Sequence, residues 1–186
     1  MVFISVRSFF TLMLVFVAVA VLALCVGAPA SMAQDQDSDG AKVKSFRDTD
    51  LPLPRFVSLR SNKTHMRTGP GQRYPIKWFY QHAGLPVEII QEFENWRKIR
   101  DNTGEVGWVH KSLLSGRRTV IVIGSDVVKI YDKKSTDSSV VAKLEPNVTA
   151  EIEECVPLFC EVKVGGYTGW IERKFIWGIY EHEELN

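Results

Sequence analysis

Residues 85–114 read LPVEIIQEFENWRKIRDNTGEVGWVHKSLL, and residues 145–177 read EPNVTAEIEECVPLFCEVKVGGYTGWIERKFIW. Laid over one another, the two stretches share a pattern. Trp96 meets Phe159, Ile99 meets Val162, Gly107-Trp108-Val109 meets Gly169-Trp170-Ile171, and Lys111 meets Arg173. Upstream, HMRTGPGQRYPIKWF lies roughly over VKIYDKKSTDSSVVAKL. Both halves consist of short runs rich in Val, Ile, Phe, Tyr and Trp, broken by Gly, Pro, Asn and Asp, and such runs are strands. No segment after Arg55 holds a helical period over about eleven residues. The pattern predicts an all-β chain of two repeats, Arg55–Ser115 and Arg117–Glu181, joined around Gly116.

A repeat of about sixty residues has a marginal core alone, which favours two units packed together or a disulfide in the weaker one. Within the first unit, turns at Ala83-Gly84, Glu94-Asn95 and Asn102-Thr103-Gly104 separate the strand runs. In YPIKWFYQ, strict alternation places Ile76, Trp78 and Tyr80 on one face and Lys77, Phe79 and Gln81 on the other. Five or six short strands per unit close most simply into a small barrel, which leaves few exposed edges. Trp108 and Trp170 are expected to close the barrel cores, and at least some of Ile76, Trp78 and Tyr80 belong to the first core.

Outside the repeats the chain is of two kinds. Phe9 to Val26 is an 18-residue stretch without a charge, preceded by Arg7 and followed by GAPASMAQ. A basic start, an apolar stretch and small residues at Ser31 and Ala33 predict a signal peptide over residues 1–33, cleaved after Ala33. The alternative is an uncleaved membrane anchor. LALC at 22–25 has the outline of a lipoprotein box, but bulky Leu24 beside Cys25 argues against lipid attachment. Residues 34–54, QDQDSDGAKVKSFRDTDLPLP, are polar and charged and predict a flexible leader.

Charge excludes some functions. Arg7 is the only charged side chain before Gln34, so the remainder carries 22 basic against 22 acidic side chains. That balance gives no basic field for nucleic acid or an acidic membrane. After cleavage no partnership with a membrane is expected. Cysteine usage agrees with export, since Cys155 and Cys160 remain once Cys25 has left with the signal. In EECVPLFCEVK they flank a short link between two strands, close enough to bond in a hairpin. A redox pair is the rival reading, although such pairs usually have two intervening residues and open a helix.

Several of these residues resemble a known family. MRTGP followed by YPI, then LPVEII, WRKIR and GWVHKSLL, resembles the bacterial SH3-like (SH3b) domain. More narrowly, Arg55 to Tyr180 is similar to the exported two-repeat SH3-like proteins of alphaproteobacteria. The second repeat departs from the pattern, with Ile130-Tyr131-Asp132-Lys133 in place of the Arg-x-Gly-Pro turn. The resemblance implies two tandem SH3-like small β-barrels used for binding. Family members accompany cell-wall hydrolases or bind peptide or glycan parts of the bacterial wall.

By this resemblance the Gly69-Pro70-Gly71 turn would be the loop bordering a ligand groove. A phosphate-binding reading fails, because Pro70 removes a donor and neither Lys-Ser/Thr nor a helix follows. Pro fixes φ, and either glycine can accept a positive φ. Arg67 and Arg73 offer forked donors to carboxylates, unless Arg67 merely braces the loop through backbone carbonyls. Tyr74, Trp78, Phe79 and Tyr80 supply aromatic faces for sugars or peptide, and Trp96 is a further candidate beside a turn. His65, His82, His110 and His182 make no paired metal motif, and the carboxylates of EIEE (151–154) and EHEEL (181–185) read as solvated. The expectation is a non-catalytic periplasmic or secreted binding module without cofactor, whose partner is peptidoglycan or a periplasmic protein. An adaptor that binds only protein is the alternative.

Overall fold

The computed structural model describes residues 49–185, so the predicted signal and most of the leader lie outside the described residues. The first domain contains β1 (Arg55–Leu59), β2 (Thr64–Arg67), β3 (Ile76–Tyr80), β4 (Pro86–Phe93), β5 (Trp96–Arg100), β6 (Val106–His110) and β7 (Leu114–Ser115). The second contains β8 (Thr119–Val122), β9 (Val128–Tyr131), β10 (Val140–Leu144), β11 (Thr149–Cys155), β12 (Phe159–Val164), β13 (Tyr167–Glu172) and β14 (Ile176–Trp177). A single 3-10 turn, Lys111–Leu113 or Arg173–Phe175, precedes the last strand of each. The described chain is all-β with two tandem SH3-like domains.

Hydrogen bonding orders the first sheet β3-β2-β6-β5-β4-β1-β7 and the second β10-β9-β13-β12-β11-β8-β14. The two orders superpose strand for strand. Neither sheet closes into a barrel, which corrects the expectation of closure. The end strands are not paired to each other, so β3 and β10 each keep one free edge. Each domain has seven strands rather than five or six, because a two-residue strand after the 3-10 turn returns to pair with the first strand.

The cores follow the inward positions. Leu59, Met66, Val87, Ile89, Ile99 and Val109 fill the first, and Val120, Ile130, Ile152, Cys160, Val162 and Ile171 fill the second. Trp108 does not close the first core, and Trp170 is buried in a separate small cluster with Tyr131 and Phe159 rather than in the main core of the second domain. Each sits one residue before the inward Val109 or Ile171, and so points to the opposite face. Gly107 precedes Trp108 for a packing reason: a Cβ there would lie 2.5 Å from Met66 Cγ and 2.8 Å from the Arg67 carbonyl oxygen. At Gly169 it would lie 3.0 Å from the Tyr131 carbonyl oxygen. The repeated Gly-Trp pair lets β2 and β9 cross closely over the next strand.

Bulges re-aim the edge strands. Met66 pairs with Trp78 but Arg67 pairs with Ile76, so Lys77 is an inserted residue. In β10 Val141 is inserted in the same way. The insertion breaks the expected alternation: Ile76 turns to the outer face, Tyr80 stays in the core, and Trp78 lies at the open rim, 51% exposed. Cys155 and Cys160 form the disulfide, directly opposite each other in the β11–β12 hairpin.

The domains pack on one another. Phe56 of β1 touches the rings of Trp177 and Tyr180 at 4.9 and 4.7 Å. The Tyr180 hydroxyl donates to Glu88 at 2.9 Å, and the Thr119 hydroxyl donates to the Gly84 carbonyl at 2.7 Å. Both termini of the described chain are tied down. Thr49 donates twice to Glu92 through its N–H and hydroxyl, and Leu53 packs on the first core. The EHEEL tail is not simply solvated: Glu183 pairs with Arg118, and the Leu185 carbonyl accepts from the Cys155 N–H at 2.9 Å.

Candidate functional site

The outer face of the first sheet is built from cross-strand partners, which point to the same side of an antiparallel sheet. One row runs Ile76–Arg67–Trp108–Lys98–Gln91, crossing β3, β2, β6, β5 and β4 in register. A neighbouring rung places His110 opposite Trp96, whose rings meet edge to face at 5.4 Å. Phe79 lies opposite His65 with ring centroids 5.0 Å apart. Arg67, Trp108, Lys98 and Trp96 are half-buried, and Ile76 is half exposed. The face is aromatic and basic, continuous across four strands, and meets the free edge of β3.

The Gly-Pro-Gly loop borders this face. Neither glycine uses the positive φ open to it. The reason for glycine is the ring of Tyr74, which lies across the turn: a Cβ at Gly69 would meet it at 2.5 Å. One guanidinium nitrogen of Arg67 donates to the Tyr74 carbonyl at 2.7 Å, so Arg67 does brace the loop. That is its one side-chain hydrogen bond among the described residues. Arg73 lies 5.2 Å from the Tyr74 ring centroid, on the solvent side. The fold therefore gathers Arg67, Arg73 and Tyr74 at the loop, Trp78 and Phe79 on the edge strand, and Trp96 farther along the face. Trp108, expected in the barrel core, and Lys98, not among the candidates, belong to the same surface. The signal for Lys98 was its alternation with the inward residues Arg97 and Ile99.

The second domain carries the same row with different chemistry: Val140–Tyr131–Trp170–Glu161–Glu154. Tyr131, Phe159 and Trp170 bury one another in a small cluster. Lys134, from the loop equivalent to Gly-Pro-Gly, lies 4.3 Å from the Trp170 ring centroid and pairs with Glu154 at 2.6 Å. The row is covered by its own chain. Charge divides in the same direction. Residues 55–116 hold ten Lys and Arg against five Asp and Glu, and residues 117–185 hold nine against twelve. The overall neutrality conceals a basic first domain and an acidic second one.

A shallow cleft of about 610 Å³ also lies on the second domain, lined by Pro157, Leu158, Phe159, Ile176, Ile179 and Glu181 among others. Its polar groups are largely consumed. Arg173 donates to the carbonyls of Val156, Tyr180 and Glu183, and Lys174 pairs with Glu172. Few donors remain there to orient a ligand.

The close His110–Ser112 contact, 2.7 Å, caps the 3-10 turn, with the ring nitrogen also accepting from the Ser112 N–H. Among the described residues no group of His, Cys, Asp and Glu is placed to hold a metal ion.

Two segments, residues 60–116 and 124–178, match the sequence profile of the bacterial SH3 domain. No curated protein matches the chain. Among solved structures, NlpC2 from Trichomonas vaginalis is similar at 15% identity and a TM-score of 0.32, over 72% of this chain and 51% of that one. NlpC1 from the same organism is similar at 17% identity and a TM-score of 0.30, over 71% and 48%. An NlpC/P60 family protein from Bacillus cereus is similar at 10% identity and a TM-score of 0.30, over 66% and 55%. The chain spans about half the length of these structures.

Proposed function

The chain belongs to the bacterial SH3 domain family, and we propose that it is a non-catalytic exported module whose first domain binds peptidoglycan. Bacterial SH3 domains are generally cell-wall or protein binding modules. The observation that carries the reading is the contrast between the two equivalent faces. Arg67, Trp108 and Lys98 form a half-buried row in the first domain, whereas Lys134 covers Trp170 in the second. A partly exposed indole bordered by an aromatic edge and a braced loop suits stacking against sugar or peptide. Arg67, Arg73, Tyr74, Trp78, Phe79 and Trp96 would make the contacts.

The full chain, in the processed form its host produces, should co-sediment with protein-free sacculi. Arg67→Ala and Tyr74→Ala variants that keep their circular dichroism should be lost from the pellet. If the wild-type chain stays in the supernatant, direct wall binding is wrong. A second reading, an adaptor for a periplasmic protein, is favoured by one specific feature. The free edge of β3 presents Ile76, Trp78 and Phe79 at 50%, 51% and 40% exposure, a surface that could accept an added strand. Crosslinking in the intact cell would then recover a protein partner in place of wall material.

A further inference from the structure

We propose that the open face of the first domain selects the carboxylate-bearing peptide of its ligand, not the glycan. Arg67 and Lys98 would take two carboxylates on either side of Trp108. The inference deepens the wall-binding reading and rests on it. Arg67 and Lys98 are both direct register partners of Trp108, one on each neighbouring strand. With adjacent strands about 4.8 Å apart, the backbone positions of Arg67 and Lys98 lie roughly 10 Å apart on either side of Trp108. Lys98 has no ion pair among the described residues, and Arg67 spends one donor on the Tyr74 carbonyl. A ligand covering Trp108 displaces water from these two half-buried cations, and an anion that also brings apolar atoms to the indole compensates both.

The second domain supplies an internal precedent for charge selection by this row. There Glu161 replaces Lys98, Glu154 replaces Gln91, and the occupant is a cation, Lys134, seated against Trp170 and paired with Glu154. The occupant is opposite in charge to the row. Reversing the row's charge, as the first domain does, calls for an anion. Carboxylates suit Arg67 because its planar fork still offers donors beyond the one fixed to the loop. A neutral glycan would leave both cations unpaired.

The test sediments the full chain with two preparations of the same protein-free sacculi, one untreated and one with its carboxyl groups converted to primary amides. The wild-type chain should bind untreated sacculi and lose about tenfold or more of its affinity for the amidated ones. Lys98→Glu, which installs the residue type found at the equivalent Glu161, should lose binding to untreated sacculi, while Lys98→Arg retains it. Equal binding of the wild type to both preparations would overturn carboxylate selection while leaving wall binding intact. Failure to bind untreated sacculi would overturn both. The chemical arm needs no variant, so a poorly folded substitution cannot obscure the result.

Discussion

Cys160 occupies in the second domain the register position that Arg97 holds in the first. Arg97 lies across from Glu92, and Cys160 across from Cys155, on the same rung of the same hairpin. All four residues are buried. One domain fills the rung with a covalent bond and the other with an ion pair, Arg97 Nε to Glu92 at 3.2 Å. The ion pair is part of a larger cluster. Arg55 reaches the Glu92 carboxylate at 2.6 Å, and Thr49 donates from its N–H and hydroxyl.

The two solutions should fail differently. Opening the disulfide releases a short closed loop, worth about 2 kcal/mol on the chain-entropy account. Removing the Glu92 carboxylate takes the counter-ion from Arg55 and Arg97 and the acceptor from Thr49, and breaking a buried pair in this way typically costs about 3–5 kcal/mol. Glu92→Ala should therefore lower the urea midpoint more than the Cys155→Ala/Cys160→Ala double variant. Equal shifts would mean that water reaches and compensates the Glu92 cluster.

Acid should weaken both domains through equivalent arginines. Burial of Glu92 alone would raise its pKa, but hydrogen bonds from Arg55 and Thr49, with the charge of Arg97, hold it below the ordinary carboxylate value. Glu183 behaves likewise: burial opposes ionisation, and Arg118 and the Tyr180 N–H bring its pKa down. A carboxylate depressed in the folded state stabilises it above the unfolded value, near 4.5, and loses that contribution as pH falls through the folded value. Urea midpoints should be level near neutrality and decline below about pH 4.5. Glu183→Gln should have a lower midpoint at neutral pH and a shallower decline.

The loop and the crossing can be tested with one methyl group each. Gly69→Ala sets a Cβ against the Tyr74 ring, which belongs to a surface loop and can swing away. The fold should survive while sacculus binding falls. Gly107→Ala instead meets Met66 and the Arg67 carbonyl in a close strand crossing, where overpacking typically costs about 1–3 kcal/mol. Thermal unfolding should separate the two, with a large drop in Tm for Gly107→Ala and a small one for Gly69→Ala.

Much of the fold was legible because it was written twice. Matching Gly107-Trp108-Val109 to Gly169-Trp170-Ile171 aligned the repeats correctly, and the cysteines lay across a visible hairpin. Barrel closure was not legible, because strand count says nothing about whether the end strands meet. The orientation of Ile76 was misread because a bulge at Lys77 shifts the period, and a single inserted residue leaves no mark in composition. Trp108 was misplaced for a related reason. A tryptophan beside an inward valine reads as core until the register shows which of the two faces in. Lys98 carries no signal in the sequence beyond its alternation, because a lysine on a strand ordinarily marks a solvated face, and only the register places it beside Trp108.

The domain junction should make the two domains unfold together. Phe56 is wedged against Trp177 and Tyr180, and Tyr180 donates to Glu88, which Arg100 also holds at 2.8 Å. Burial of the Tyr180 hydroxyl and its bond to Glu88 push its pKa well up, so the contact persists through ordinary pH. Tyr180→Phe removes one donor but leaves Arg100 on the carboxylate, and should cost about 1 kcal/mol. Phe56→Ala empties the wedge and should cost about 3–5 kcal/mol. Amide hydrogen exchange along a urea series should show one midpoint for both domains in the wild type and two in Phe56→Ala. A single shared midpoint in that variant would mean that the Thr119–Gly84 bond and the close packing at Gly178 hold the domains together without the aromatic wedge.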